Sequence, residues 1–160
     1  MPITKQAKGQ NNKQIKIRKP ISAFSLIELM VSVAIVGIIA AIATPAYIEY
    51  LGQGYRSEAM RELVTVVNLQ EQYLIENRTY TTDMKELGFA ADPYESENER
   101  YKIDATAIAD ISSDFIVTAT ATDAQKATDL TCYTISMNYL LQKSATDSEG
   151  NDSTDTCWGQ

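Results

Sequence analysis

Residues that could do acid–base, nucleophilic or metal chemistry are few in this chain. Its 160 residues include no histidine, which excludes Ser-His-Asp and Cys-His catalysis and the usual zinc sites. Its two cysteines, Cys132 and Cys157, are too far apart for a C-x-x-C redox or metal motif. Oxygen ligands gather near the end: Asp147, Glu149, Asn151, Asp152 and Asp155. Hard cations take such ligands, but the EF-hand order fails, because Asp152 replaces the turn glycine and Trp158 falls where the closing glutamate belongs. A solvated loop is the expectation there. No catalytic residue, metal or cofactor is expected, and the chain does not read as an enzyme. The acid that demands an account is Glu28, the sole charge between residues 24 and 47. A carboxylate at the centre of a bilayer costs about 2.5–3.5 kcal/mol on insertion scales.

The element that positions Glu28 is an apolar helix. Twenty-four residues of helix span about 36 Å, enough to cross a hydrocarbon core of about 30 Å. Residues 1–23 hold Lys5, Lys8, Lys13, Lys16, Arg18 and Lys19 and no acid, a charge of +6; the remainder carries 8 basic and 21 acidic residues, a charge of −13. A basic flank before an apolar span is the positive-inside signal. It places the N-terminus in the cytoplasm and the acidic portion across the membrane. In such an exported domain the two cysteines should pair, and closing that loop contributes about 3.5 kcal/mol in the chain-entropy account. A plain membrane anchor explains the apolar run but not Glu28. A secretory signal peptide would be cut near Ala41-Ile42-Ala43, yet its apolar region is long and Glu28 fits it badly.

A third reading uses all of these features. The stretch "AFSLIELM" resembles the processing site of type IV pilins and pseudopilins, which are cut just before a phenylalanine that opens F-[TS]-L-[IV]-E. The resemblance continues through "MVSVAIVGIIAAIATPAYIEY", with Gly37, Pro45 and Tyr47 where the family tends to place them. It implies cleavage at Ala23/Phe24 by a prepilin peptidase and N-methylation of Phe24. The family usually carries glycine before the cut; Ala23 is the next smallest side chain. The resemblance also gives Glu28 a role. The new Phe24 ammonium is unfavourable at a helix N-terminus, and a carboxylate one turn in partly offsets it. In a packed filament, Glu28 of one subunit is expected to pair with the Phe24 amine of a neighbour, each satisfying the other in low dielectric and penalising subunits docked out of step. Pro45 removes a helix hydrogen bond and should kink or loosen the helix, and Gly37 suits close packing. In the family this region can melt on assembly.

The remaining chain reads as α+β. In "RSEAMRELVTVVNLQEQYLIEN", Met60, Leu63, Val64, Val67, Tyr73 and Leu74 form one helical face, with Arg56, Glu58, Arg61, Glu62 and Glu71 mainly off it. Gly52 and Gly54 form a soft spot before it. Residues 77–100 read as a connecting loop with a helical turn near 83–87. "YKIDATAI", "DFIVTATAT" and "TCYTISM" alternate as strands, and "YLLQKSA" is a candidate further one. The expected architecture is a long N-terminal helix, transmembrane then amphipathic, packed on a small antiparallel sheet, as in pilins. The domains are a cleaved basic leader (1–23), a transmembrane assembly helix (24–50) and an exported globular domain (51–160) whose C-terminal loop is clipped by Cys132–Cys157.

The function implied is that of a structural subunit, most like a minor type IV pilin, whose C-terminal Cys pair ends in Cys-Trp. Its partners would be other pilin subunits, the prepilin peptidase and an inner-membrane assembly platform. It would sit in the inner membrane before assembly and in an extracellular pilus afterwards, serving adhesion, twitching motility or DNA uptake. The alternative is a type II secretion pseudopilin in the periplasm, which shares the N-terminal helix. A DNA-receptor pilin fits less well, because DNA binding draws on Lys and Arg to neutralise phosphates and the mature chain has 8 of these against 21 acids.

Overall fold

The computed structural model describes residues 24–159. The leader and Ala23 lie outside the described residues. The chain divides into two compact units, Met1–Ile38 and Ile39–Gln160. Helix α1, Leu26–Asn77, begins in the first unit and continues through the second.

In the first unit the sequence dictates helix through long and branched apolar residues and a start signal. Ser25 precedes the first helical residue, and its Oγ accepts the Glu28 amide at 3.2 Å. This is half of a capping box, with the acid at the third helical position. The apolar side chains here lie open, Leu26 at 76% exposure and Val36 at 65%. Among the described residues, α1 is the one helix long and apolar enough to cross a membrane.

The second unit builds a core from the rest of α1 and a sheet. Pro45 lies inside α1, which runs through it without a break. Proline has no amide for the carbonyl four residues earlier, so the Ala41 carbonyl loses its helical donor. The helix closes at Asn77 with Arg78 in the left-handed region (φ 62°), its amide donating to the Leu74 carbonyl at 2.8 Å. That is an αL cap made without glycine.

Five strands follow: β1 (Tyr94–Glu95), β2 (Tyr101–Thr106), β3 (Ile116–Ala121), β4 (Thr134–Asn138) and β5 (Lys143–Thr146). They pair antiparallel in chain order, a meander. The four-residue helix α2 (Asp123–Lys126) lies between β3 and β4, and α3 (Thr154–Trp158) follows β5. Alternation puts one face of each strand inward. The register aligns Ile103, Ala119, Ile135 and Ala145 in a row across four strands, large beside small. All four are buried with Ala59, Leu63, Val66 and Val67 of α1 in one core.

The fold is the expected α+β arrangement, but the inward stripe of α1 is rotated from the expected one. The buried residues are Gly52, Arg56, Ala59, Leu63, Val66, Val67 and Gln70, while Val64 is 43% exposed. Arg56 and Gln70 face inward because each finds a partner there. Gln70 Nε2 donates to the Thr81 carbonyl and its Oε1 accepts the Thr81 amide at 3.0 Å. Gly52 is not simply a soft spot either. A Cβ at that position would come within 3.3 Å of the Thr128 carbonyl oxygen, whereas one at Gly54 would meet nothing. Residues 77–100 are less solvated than a plain loop, since Tyr80, Met84 and Leu87 are buried, and the two-residue strand β1 lies within them.

Candidate functional site: the N-terminal helix start and the cystine clasp

The residues singled out fall in two places. The first is the start of α1. Phe24 is 76% exposed and Glu28 is exposed one turn later. The Glu28 amide is taken by Ser25 and its carbonyl accepts the Ser32 hydroxyl at 2.7 Å. The backbone there is satisfied locally, and the Glu28 carboxylate remains at the positive end of the helix dipole. Ser25 was missed as a contributor, although S-x-x-E before an apolar run is itself a start signal. Gly37 has open space around it.

The second place is a clasp in the second unit. Cys132 and Cys157 are joined in a disulfide, with Cα atoms 5.9 Å apart, and both are fully buried. The turn before Cys132 is organised by Asp129. Its Oδ1 accepts the Thr131 and Cys132 amides at 3.2 and 3.3 Å. Its Oδ2 accepts Arg56 Nε at 2.9 Å and Nη2 at 2.8 Å. Gln125 Nε2 donates to the Gly52 carbonyl at 3.0 Å. The β3–β4 connection is thereby strapped to α1 at 52–56, and the absent side chain of Gly52 lets it approach. Burial, with the nearby Asp129 carboxylate, pushes the Tyr101 hydroxyl well above the ordinary tyrosine range. Neither Arg56 nor Asp129 was expected here, because their partnership spans 73 residues of sequence.

On the other side of the disulfide, the acidic C-terminal loop folds on itself. Asp147 accepts the amides of Glu149 and Asn151 at 2.9 Å and Asn151 Nδ2 at 3.0 Å. These bonds, chiefly those from Asn151, hold its carboxyl below the usual range. Asp152 accepts the Thr154 hydroxyl and amide, which lowers its carboxyl likewise. No group of three His, Cys, Asp or Glu residues arranged for a metal ion occurs among the described residues.

Comparison with known proteins agrees with this geometry. A family model described as type IV minor pilin ComP, DNA uptake sequence receptor, matches residues 45–136, and one for the prokaryotic N-terminal methylation motif matches residues 18–44. The chain belongs to the type IV pilin family. The type IV major pilin protein PilA of Myxococcus xanthus (strain DK1622) is 38% identical over 84 residues, 52% of this chain and 37% of that protein. Fimbrial protein EcpC of Eikenella corrodens is 32% identical over 97 residues, 61% of this chain and 60% of its own length. Fimbrial protein Q of Moraxella bovis is 38% identical over 74 residues, 46% of this chain and 44% of its own. The matches thus span between 37% and 60% of these relatives' lengths. Type IV pilins are structural subunits and not enzymes, in keeping with the expectation from the residue inventory.

Proposed function

We propose that this chain is a minor subunit of a type IV pilus. Residues 24–47 hold it in the inner membrane with the N-terminus cytoplasmic. A prepilin peptidase removes residues 1–23, the Phe24 amine is methylated, and the helix then packs with other pilin subunits at an inner-membrane platform. One observation carries this reading: Glu28 is the sole charge in an apolar helix whose side chains the chain itself leaves uncovered. Lipid satisfies such a surface before assembly, and neighbouring helices satisfy it afterwards. Lipid does not satisfy the carboxylate, whereas the Phe24 ammonium of a neighbour does. Pro45 and Gly37 are the points where the helix yields or packs closely during that transfer. The methylation-motif match over residues 18–44 supports processing at Ala23/Phe24, and the fimbrial relatives favour a pilus over a type II secretion pseudopilus.

The test is Glu28→Ala, tracked by fractionation. The variant inserts and is cleaved, with a mature chain beginning Phe24-Ser25-Leu26 by intact mass, but it stays in the inner membrane and is absent from sheared filaments. Glu28→Gln also assembles poorly, since an amide cannot neutralise an ammonium. Normal recovery of Glu28→Ala in filaments refutes the pairing.

The matched family's description as a DNA uptake sequence receptor favours a second reading, in which this subunit captures DNA. Among the described residues, Arg61, Arg78, Lys85, Arg100 and Lys143 stand outside the ion pairs and are the cations available for it. Arg56 is buried against Asp129, and Lys102 and Lys126 pair with Glu95 and Asp123. Gel-shift titrations of the processed chain with duplex DNA at rising salt decide the matter, because phosphate contacts impose a steep salt slope.

A further inference from the structure

The outer edge of the sheet at β5 is closed by the chain's own C-terminal segment. Ala145 directs its backbone groups away from β4. Its amide donates to Thr154 Oγ1 at 3.0 Å, and its carbonyl accepts the Ser153 amide at 3.0 Å. Two residues on, the Asp147 amide donates to the Asn151 carbonyl at 2.9 Å, and Thr146 bridges to Asp152. Residues 151–154 thus lie along β5 as a short, irregular sixth strand. Three contacts fasten this segment from behind: the Cys157–Cys132 disulfide, the Trp158 Nε1 bond to the Ser144 carbonyl at 3.0 Å, and Lys143 Nζ 4.9 Å from the Trp158 ring centre. An uncovered edge is a template for another strand.

We propose that β5 is a self-docking edge guarded by this plug, and that reducing the disulfide exposes it to β5 of a second copy. Reduction by a dithiol adds two electrons and two protons to the cystine, leaving two thiols on the protein and the reductant as its own disulfide. The plug then depends on a few hydrogen bonds. The edge is self-complementary. An antiparallel two-fold pairing centred on Ala145 sets Ala145 opposite Ala145, so that each amide donates to the other's carbonyl. The same register sets Ser144 opposite Thr146 and Lys143 opposite Asp147, opposite charges across the pair. The side chains at 144–146 are small and include no proline, so nothing obstructs approach. The disulfide on this account does more than stabilise: it keeps copies from joining sheet to sheet, and formation after export would end the exposed interval.

The test compares the full chain in detergent micelles, oxidised and after dithiothreitol, by light scattering coupled to size exclusion and by hydrogen exchange. The reduced chain and Cys157→Ser should double their protein mass per particle as concentration rises. The Ala145 amide should exchange faster in dilute reduced chain and slow again on association. Thr154→Val, with the disulfide intact, frees the same amide in a chain that keeps its clasp and should dimerise to a lesser degree. Ala145→Pro removes the outward amide without touching a β4 bond and should hold Cys157→Ser at the monomer mass. Lys143→Glu should weaken association of Cys157→Ser, and adding Asp147→Lys should restore it. The proposal is overturned if the reduced chain and Thr154→Val both keep the oxidised mass, if association survives Ala145→Pro, or if the charge exchange restores nothing.

Discussion

One helix, α1, is used in two opposite ways. Before residue 39 its apolar side chains are open, Ile35 at 53%, while on the later turns Ala59, Leu63 and Val66 are sealed completely. Apolar content does not make the difference, since the earlier stretch is the more apolar. The later turns have partners in the same chain, a sheet and a strap, and the earlier turns have none among the described residues. The polar residues follow the same division. Arg56 and Gln70 are buried because this chain supplies their partners, whereas the partner we propose for the Glu28 carboxylate lies on a neighbouring subunit. A charge on an apolar surface therefore signals either an internal clasp or an external docking step, and the position of its counter-charge separates the two.

The largest expected effect attacks the internal clasp. Arg56→Met leaves Asp129 buried without its cation and should destabilise the second unit by about 3–5 kcal/mol, because an uncompensated buried charge is far worse than a missing pair. Arg56→Met/Asp129→Leu should recover much of that loss. Chemical unfolding followed by Trp158, the one tryptophan, measures both. If the single variant unfolds at the wild-type midpoint, the clasp is ornamental and the contrast with Glu28 collapses.

A finer cut compares three residues of the helix. Val66→Ala removes a fully buried side chain and should cost about 1.5–3 kcal/mol. Val64→Ala, two residues away, should stay within about 0.5 kcal/mol, as surface changes do. Ile35→Ala should leave the unfolding midpoint unmoved and show its effect only in filament recovery. Equal costs at 64 and 66 would restore the stripe expected from spacing alone.

That stripe marks how far the sequence was legible. Periodicity located the helix, and alternation located β2, β3 and β4, because each is long enough to show a pattern and half-buried enough to need one. The start of α1, the cysteine pairing and the odd carboxylate were legible too, each being a residue type out of place in its surroundings. The helix's inward face was not. Arg56 reads as solvent-facing until Asp129, 73 residues later, is beside it, and Val64 reads as core because hydrophobicity does not specify which side the sheet occupies. Strand β1 is two residues long, and α3 is a single turn in a polar stretch, so neither carries a period. Their places are set by tertiary contacts: pairing with β2 for one, the disulfide for the other.

The smallest expected effect concerns Glu62 of α1, whose acidic neighbours Glu58 and Glu97 outweigh its cationic neighbour Arg61. Glu62 keeps a buried carboxylate oxygen, Oε2, that receives no hydrogen bond. Burial, followed by the charges of Glu58 and Glu97, raises its carboxyl above the ordinary 4.5, with Arg61 opposing. The folded state therefore binds the Glu62 proton more tightly than the unfolded chain does. Between the unfolded and folded values the folded state holds more protons, so this group's contribution to stability falls as pH rises through that window. Below the unfolded value both states are protonated and the penalty vanishes. Glu62→Gln should accordingly raise the melting temperature slightly at pH 7, with the gain fading as pH falls through the raised folded value and gone once pH is below about 4.5. Partial exposure of the side chain lets solvent screen the repulsion and keeps the effect small. Glu28→Gln should leave that melting temperature unchanged, because Glu28 is exposed and packs against none of the core of the second unit. A gain from Glu62→Gln that persists undiminished at low pH would mean that packing, not charge, sets the penalty, and the contrast between the two carboxylates would then rest on Glu28 alone.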